Sequence, residues 1–438
     1  MTETSLFQQE YVRIREQQLI ETPQWAETFR QEAMNRFLTK GLPTTKDEEW
    51  RFTNITPLLR HPFRLPGYDS VSDSEVKGLV DQAVLNDQYD LHVFVNGWYS
   101  ERWSRSAEVD SAPVFVSLAE SIRGKNDSVG QRLIDRATDQ ESAFVSLNSA
   151  FLGDGACIQI PENTKLSRPI HLVFVSTADE PIASYPRNLI SVGRNSEASI
   201  IETHVGSVDR DYFSNSVTDV VLGESAELQH HKLQQEQTNA LHVATMRVHQ
   251  RANSSFQSHY FALGGSLSRN EIECVLNGEE IECTLNGLYM PSGKQLMDCR
   301  TKIDHAQPNC RSYELYKGIL DDQAKGVFNG KIYVHPHAQK TNAMQSNQAI
   351  LLSDDAIIDT KPQLEIYADD VRCTHGATVG ELDEESLYYL RSRGIPRELA
   401  RKILIFAFAN DVVQGLSEPA VRKRLESLLL SDHGLPVL

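Results

Sequence analysis

Cys373 and His375 stand two residues apart in "DDVRCTHGATVG" (Asp369–Gly380), between an acidic pair and a glycine. Thiolate and imidazole are soft-to-borderline metal ligands, and on an extended strand this spacing places both on one face. A metal or cluster site takes three or four ligands, so two residues need others from another turn of the fold or from another chain. The competing readings are a nucleophile with its base, or two ordinary residues at the end of a sheet. If a turn follows His375, Gly376 supplies the positive φ that only glycine adopts without strain.

The other candidate groups have plainer explanations. His335 and His337 in "VHPHAQKT" share a face if extended, and Pro336 favours an extended His335, but an isolated pair of this kind reads as surface. His230 and His231 alternate faces. Cys274 and Cys283 lie in the tandem "IECVLNGEE" (Ile272–Glu280) and "IECTLNGLY" (Ile281–Tyr289) and read as small apolar residues stacked inside the fold. The pairs Asp354-Asp355 and Asp369-Asp370 suggest carboxylates that cleave polysaccharides. Neighbouring carboxylates on a strand point to opposite faces, however, and at strand ends they read as solvated turns. Three motifs are missing. Gly124-Lys125, Gly293-Lys294 and Gly330-Lys331 are followed by Asn, Gln and Ile, so there is no Walker A loop, and neither GxGxxG nor GxSxG occurs. Nucleotide hydrolysis and the usual nucleophile elbow are thereby excluded.

The elements that must position these residues change character along the chain. Residues 1–145 mix helix and strand signals in a mostly helical region. "SLFQQEYVRIREQQLIETPQWAETFRQEAMNRFLTKGLP" reads as two helices, and "LHVFVNGWYS" as a strand turning at Asn96-Gly97. Over 146–380, short strand-like runs such as "IHLVFV", "ASIIETHV" and "KIYVH" follow one another with Pro, Gly and Asn between them. A sandwich would be unusually large at this length, and a propeller should show a signature repeat, so a β-solenoid is favoured. In 381–438, Asp383 precedes one helix and Gly394 stops it. A second helix follows Pro396, with Leu399, Ile403, Phe406 and Val413 near one face. Ser417 caps a third, striped by Val421, Leu425, Leu428 and Leu429. These amphipathic helices require a partner surface, either the core or another protein.

The chain has 438 residues, enough for two or three domains, and its formal net charge of −17 disfavours nucleic acid and anionic lipid as partners. The N-terminus has no apolar signal region, and no apolar run approaches the roughly 20 residues of a membrane span. The expected location is the cytoplasm. The six cysteines, with no CxxC pair, are expected as reduced thiols without a structural zinc site.

The stretch Phe328–Val413, with "KPQLEIYADDVRCTHGATVG" at its centre, closely resembles the C-terminal half of the SufB/SufD family of iron–sulfur cluster assembly proteins. "GLPTTKDEEWRFTNITPL" (Gly41–Leu58) resembles the N-terminal signature of the SufD branch, and the earlier cysteine-rich motifs of the SufB branch are absent. The resemblance implies a right-handed parallel β-helix flanked by N- and C-terminal helical domains. It implies a non-catalytic scaffold that joins a SufB-type paralogue and the ABC-type ATPase SufC, which would hold the nucleotide chemistry missing here. It places His375 at the SufB interface, where it would handle iron or a nascent cluster; Cys373 either joins it or packs beside it. The C-terminal helices would dock the ATPase, with Arg391, Arg393, Arg397 and Glu398 as contacts. No cofactor is expected on the isolated chain, flavin on the complex stays open, and the chain alone could pair with itself. The rival reading is a solenoid polysaccharide hydrolase or lyase using the Asp pairs.

Overall fold

The computed structural model describes residues 4–17, 23–67, 72–106, 114–124, 127–138, 141–177 and 179–432. The fold is mainly β, 41% strand against 27% helix, and its centre is a parallel β-solenoid of about 8 turns. Each turn contributes one strand to each of two ten-stranded sheets. The first sheet stacks Trp98–Arg105, Asp90–Val95, Ile170–Ser176, Glu197–Gly206, Glu227–Gln234, Ser255–Ala262, Glu282–Tyr289, Arg311–Leu320, Asn342–Leu351 and Arg372–Gly380. The second stacks Phe115–Ser117, Ala156–Ile160, Arg187–Val192, Tyr212–Leu222, Ala240–Gln250, Leu267–Leu276, Leu296–His305, Lys325–Val334 and Ile357–Ile366, with Ile182–Ser184 beside Tyr212–Leu222. No helix falls between Ile190 and Ile350. The hairpin of Asp90–Val95 and Trp98–Arg105 turns at Asn96 (φ 53°) and Gly97 (φ 88°), the left-handed pair that matches strand twist. Through it the first sheet reaches back before residue 145, pairing Asp90–Val95 in parallel with Ile170–Ser176.

The recurring glycine and small-polar pattern of the sequence is one corner of the solenoid. Asn163, Asn195, Ser225, Asn253, Glu280, Asn309 and Lys340 occupy it turn after turn, all left-handed. The short side chains of asparagine and serine suit that region. Their backbone N–H groups donate to the next turn, as from Asn195 to Glu224 and from Asn253 to Glu279. At Gly278 a Cβ would lie 2.3 Å from the Ala252 nitrogen, so this corner closes only over glycine. The tandem "IEC-x-LNG" copies are not successive turns of one sheet. Cys274 lies in Leu267–Leu276 and Cys283 in Glu282–Tyr289, and the two buried thiols belong to one core cluster inside the solenoid.

Side chains alternate along each strand, so both sheets also have outer faces that need cover. Helices Ser5–Glu16, Gln24–Lys40 and Ala143–Ala150 cover the second sheet, where Phe7, Phe37, Phe144 and Phe151 pack with Phe213, Leu241 and Val243. The expected N-terminal helix pair is present on either side of residues 18–22, which lie outside the described residues. The "DEEW" segment docks here too. Arg269 stacks 3.7 Å from the Trp50 ring centre, Thr53 donates to Asp298 at 2.6 Å, and Lys361 reaches Glu48 at 2.6 Å.

The C-terminal helices Glu384–Ser392, Arg397–Gln414 and Pro419–Asp432 follow the expected stops, with Asp383 capping the first and Gly394 (φ 87°) ending it. The second and third cover the first sheet, packing Ile405, Val412, Leu416, Val421, Leu425 and Leu429 on Ile201, Leu233, Phe261 and Leu288. Two details differ from expectation. The buried stripe of the second helix is Ala400, Ile405, Ala409, Val412 and Val413; Leu399, Ile403 and Phe406 are half-buried. "ILIFAFA" is apolar on nearly every side, so periodicity could not choose the face, and small alanines allow the closest approach to the sheet. Glu418, not Ser417, caps the third helix by accepting the Ala420 N–H, while the Ser417 hydroxyl bonds Gln229. Among the described residues no helix is long and apolar enough to cross a membrane.

Candidate functional site

Cys373 and His375 lie on the last strand of the first sheet, Arg372–Gly380, which is paired on one side only, to Asn342–Leu351. Register sets their direction. Cys373 is opposite Ala343 and His375 opposite Gln345, both buried, so thiol and imidazole continue the inward columns of the solenoid onto its open end. One column runs through Ile200, His230, Ser258, Leu285, Glu314, Gln345 and His375. Strand spacing puts the two side chains about 7 Å apart along the strand. Among the described residues no third His, Cys, Asp or Glu closes a ligand set with them.

The two residues differ in environment. His375 is exposed, while half-buried Cys373 packs against Ile332, Val334 and Ala343. Burial pushes the Cys373 thiol above its ordinary range, against a hydrogen bond from the Ala343 backbone. Gly376 continues the strand without a left-handed φ, and an added Cβ would meet nothing within 4 Å. The expected turn after His375 is therefore absent, and strand pairing to Ser346 takes its place. Beneath His375, the Gln345 amide donates to Glu314. Burial pushes Glu314 up to about 7, against the hydrogen bond from Gln345.

The remaining residues singled out in the sequence lie apart. Arg391, Arg393, Arg397 and Glu398 are exposed at the junction of the first two C-terminal helices, with Arg393 over the Tyr389 ring at 5.1 Å. Asp354, Asp355, Asp369 and Asp370 are exposed in turns, and Asp370 pairs with Lys340. His335 Nε2 lies 2.9 Å from Asp304 Oδ1 and its ring lies near that of His337, without a third ligand among the described residues.

A second polar group escaped the sequence reading. The solenoid interior near Glu197–Gly206 and Glu227–Gln234 holds Glu202, His204, His230 and Lys232, all buried. Thr218 donates to Glu202 at 3.3 Å and Lys232 to Asn270 at 3.0 Å, around a cavity of about 10 Å³. Burial lowers Lys232 to about 8, against the pull of Glu202 and Glu236. Burial would raise Glu236, but the facing His242, with His204 and Gln234, holds it at about 2. His230 and His231 do alternate faces, as expected, and both are buried, the outward His231 stacked on His259 at 5.2 Å. The available signal was a run of inward polar positions, "ELQHHKL" below "EASIIETHV", whose partners only the register reveals.

Together these features define a β-solenoid with both outer faces clad in helices and a thiol and an imidazole displayed at one open end. Residues 174–408 match the family described as SUF system FeS cluster assembly, SufBD core domain, and residues 3–172 match the SufBD protein N-terminal region. The chain belongs to the SufBD family of iron–sulfur cluster assembly proteins. It is 32% identical over 405 residues to an iron–sulfur cluster assembly SufBD family protein of Synechocystis sp., covering 90% of this chain and 88% of that one. Over 399 residues it is 31% identical to the iron–sulfur cluster assembly protein SufD of Escherichia coli, covering 90% of each. With SufD of Bacillus subtilis it shares 27% over 416 residues, 93% of this chain and 94% of that one. The SufD-type signature in the sequence agrees with these relatives.

Proposed function

We propose that this chain is a non-catalytic scaffold subunit of the SUF machinery, acting with a SufB-type paralogue and a SufC-type ATPase. His375 supplies one ligand to iron or a nascent cluster, which is cargo rather than a resident cofactor, and the SufB-type chain supplies the others. The observation that carries this reading is the place of His375 on the inward face of an exposed terminal strand. Among the described residues no third donor joins the imidazole there, and a second solenoid end facing it would bring more. Cys373 supports the site by packing, since a half-buried protonated thiol is a poor ligand until a metal displaces its proton. The exposed residues Arg391, Arg393, Arg397 and Glu398 suit docking of the ATPase.

The test is complementation of a strain lacking the native protein, with complex formation assayed in parallel. His375→Ala should leave the fold and the complex intact, because an exposed imidazole contributes little burial, while cluster assembly falls at least about tenfold, as for loss of a metal ligand or its close support. Cys373→Ser should fall less. Normal growth of the His375→Ala strain under iron limitation would remove His375 from the mechanism.

A further inference from the structure

His204, Glu236 and His242 are far from the open end. His204 ends the inward row of Glu197–Gly206, Glu236 sits in the turn after Glu227–Gln234, and His242 opens Ala240–Gln250. All three are buried, and their nitrogen and oxygen ligand atoms lie within 4.8 Å of one another. Register explains the convergence, since Gln234 stands opposite His204 and the chain crosses to the other sheet just after it. The rings of His204 and His242 meet nearly edge to face at 4.8 Å.

Hydrogen bonding within the group does not account for it. Neither ring nitrogen of His242 has a hydrogen-bond partner, although Nδ1 lies 2.8 Å from Glu236 Oε2, off the hydrogen-bonding direction. His204 Nε2 also lacks one, standing 3.6 Å from Glu202. Each ring thus keeps a buried nitrogen without a hydrogen-bond partner, and a bound ion would take one nitrogen from each ring. Among the described residues neither Glu202 nor Glu236 forms an ion pair with a lysine or arginine; the only basic side chains close to their oxygens are histidines. Lys232 is the ammonium in this interior, and it donates to Asn270. Glu236 is held in place by the Gln234 amide at 3.0 Å, and Gln234 accepts the Gly264 N–H at 3.2 Å. That is the support a ligating carboxylate receives in metal sites.

We propose that His204, Glu236 and His242 bind one divalent first-row transition-metal ion, of the iron(II) and zinc(II) class, inside the solenoid. Two imidazoles and a carboxylate form a borderline donor set that suits these ions and leaves coordination positions open for water. A calcium or magnesium ion would want oxygen donors throughout. The route in is short, because Glu236 belongs to a surface turn whose Thr238 and Asn239 are exposed. The site is separate from Cys373 and His375 and does not depend on their role.

Cobalt(II) titration of the full-length, chelator-treated chain is the test, because a cobalt ion bound by two imidazoles and a carboxylate shows visible d–d absorption. The wild-type chain should take up one ion with these bands, and a Cys373→Ser, His375→Ala double variant should do the same. His204→Gln, His242→Gln and Glu236→Gln keep most of the volume, and each should weaken binding about 100-fold or more while retaining the wild-type circular dichroism. Should one of them unfold, the bound ion's upward shift of the melting temperature, present in wild type and in the double variant, supplies the readout. Anaerobic competition by iron(II) and by zinc(II) then shows which displaces cobalt at the lower concentration. Absence of bands in wild type, unchanged binding in all three interior variants, loss of binding in the double variant, or displacement by neither metal would each overturn the proposal.

Discussion

His230 and His375 stand in the same inward column of the same sheet, with four strands between them, yet their surroundings are opposite. His230 lies on Glu227–Gln234, with neighbours on both sides, Glu202 at 3.5 Å and Ser258 at 3.0 Å. His375 has Gln345 on one side and, among the described residues, no strand on the other, on a strand almost wholly exposed. The sequence gives both the same local form, a histidine at an alternating position in a short strand. Position in the stack decides the chemistry. An interior residue must satisfy its polar atoms within the chain or with an enclosed ion, whereas an end residue keeps its lone pair for whatever meets the open edge.

Removing a carboxylate from each region is the strongest way to break this comparison. Asp219 is buried between Arg187 at 2.7 Å and Arg247 at 2.8 Å, and the two arginines hold it down at about 2 although burial opposes them. Asp219→Ala would strand buried guanidinium groups and should cost about 3–5 kcal/mol in urea denaturation. Asp370→Ala, at the open end, removes an exposed pair with Lys340 and should cost about 1 kcal/mol or less. Equal losses would mean that the end is as tightly built as the middle.

A smaller effect comes from Glu314, which lies between the two regions. Its folded value of about 7 exceeds the roughly 4.3 of a free glutamate, so between those values the folded chain keeps a proton that the unfolded chain has lost. Stability from this group is complete below about pH 4 and declines as pH rises to about 7, by up to about 3 kcal/mol. Asp219 and Glu236, both held at about 2, act oppositely, and their contribution is lost as pH falls below about 4. Denaturation of wild type and Glu314→Gln between about pH 5 and about pH 8 isolates the first term. The wild-type curve should fall relative to the variant, and parallel curves would show that Glu314 is ionised throughout.

The solenoid was legible because its strands are short and dense and the left-handed corner recurs with asparagine or serine. The helical tail was legible from Asp383, Gly394 and the apolar stripe of its third helix. Cys373 and His375 were found because their spacing fits one face of a strand and the surrounding motif is distinctive. The interior group stayed hidden for a physical reason. His204, Glu236 and His242 are 38 positions apart from first to last and come from two sheets and a turn, so no local spacing joins them. His231 shows the same limit from the other side, since its outward face is buried only by cover from elsewhere in the chain. Local pattern gives the face of a residue, while its partners depend on which turns stack and what covers them.

The smallest expected effect tests the claim that the end strand is open. Gly376 lies in extended backbone beside His375, with nothing within 4 Å of an added Cβ. Gly376→Ala therefore neither strains φ nor meets a neighbour, and it narrows the unfolded ensemble, a gain of about 0.4–1 kcal/mol where the backbone tolerates it. The isolated chain should keep its denaturation midpoint or gain slightly. A loss above about 2 kcal/mol would mean that the strand bends at Gly376 and that the inward placement of His375 is wrong. If the isolated chain is unchanged while association with the SufB-type partner weakens, the added methyl group has met the partner's surface. Gly376 then marks the side of the strand against which the second solenoid packs, next to the imidazole assigned to the shared site.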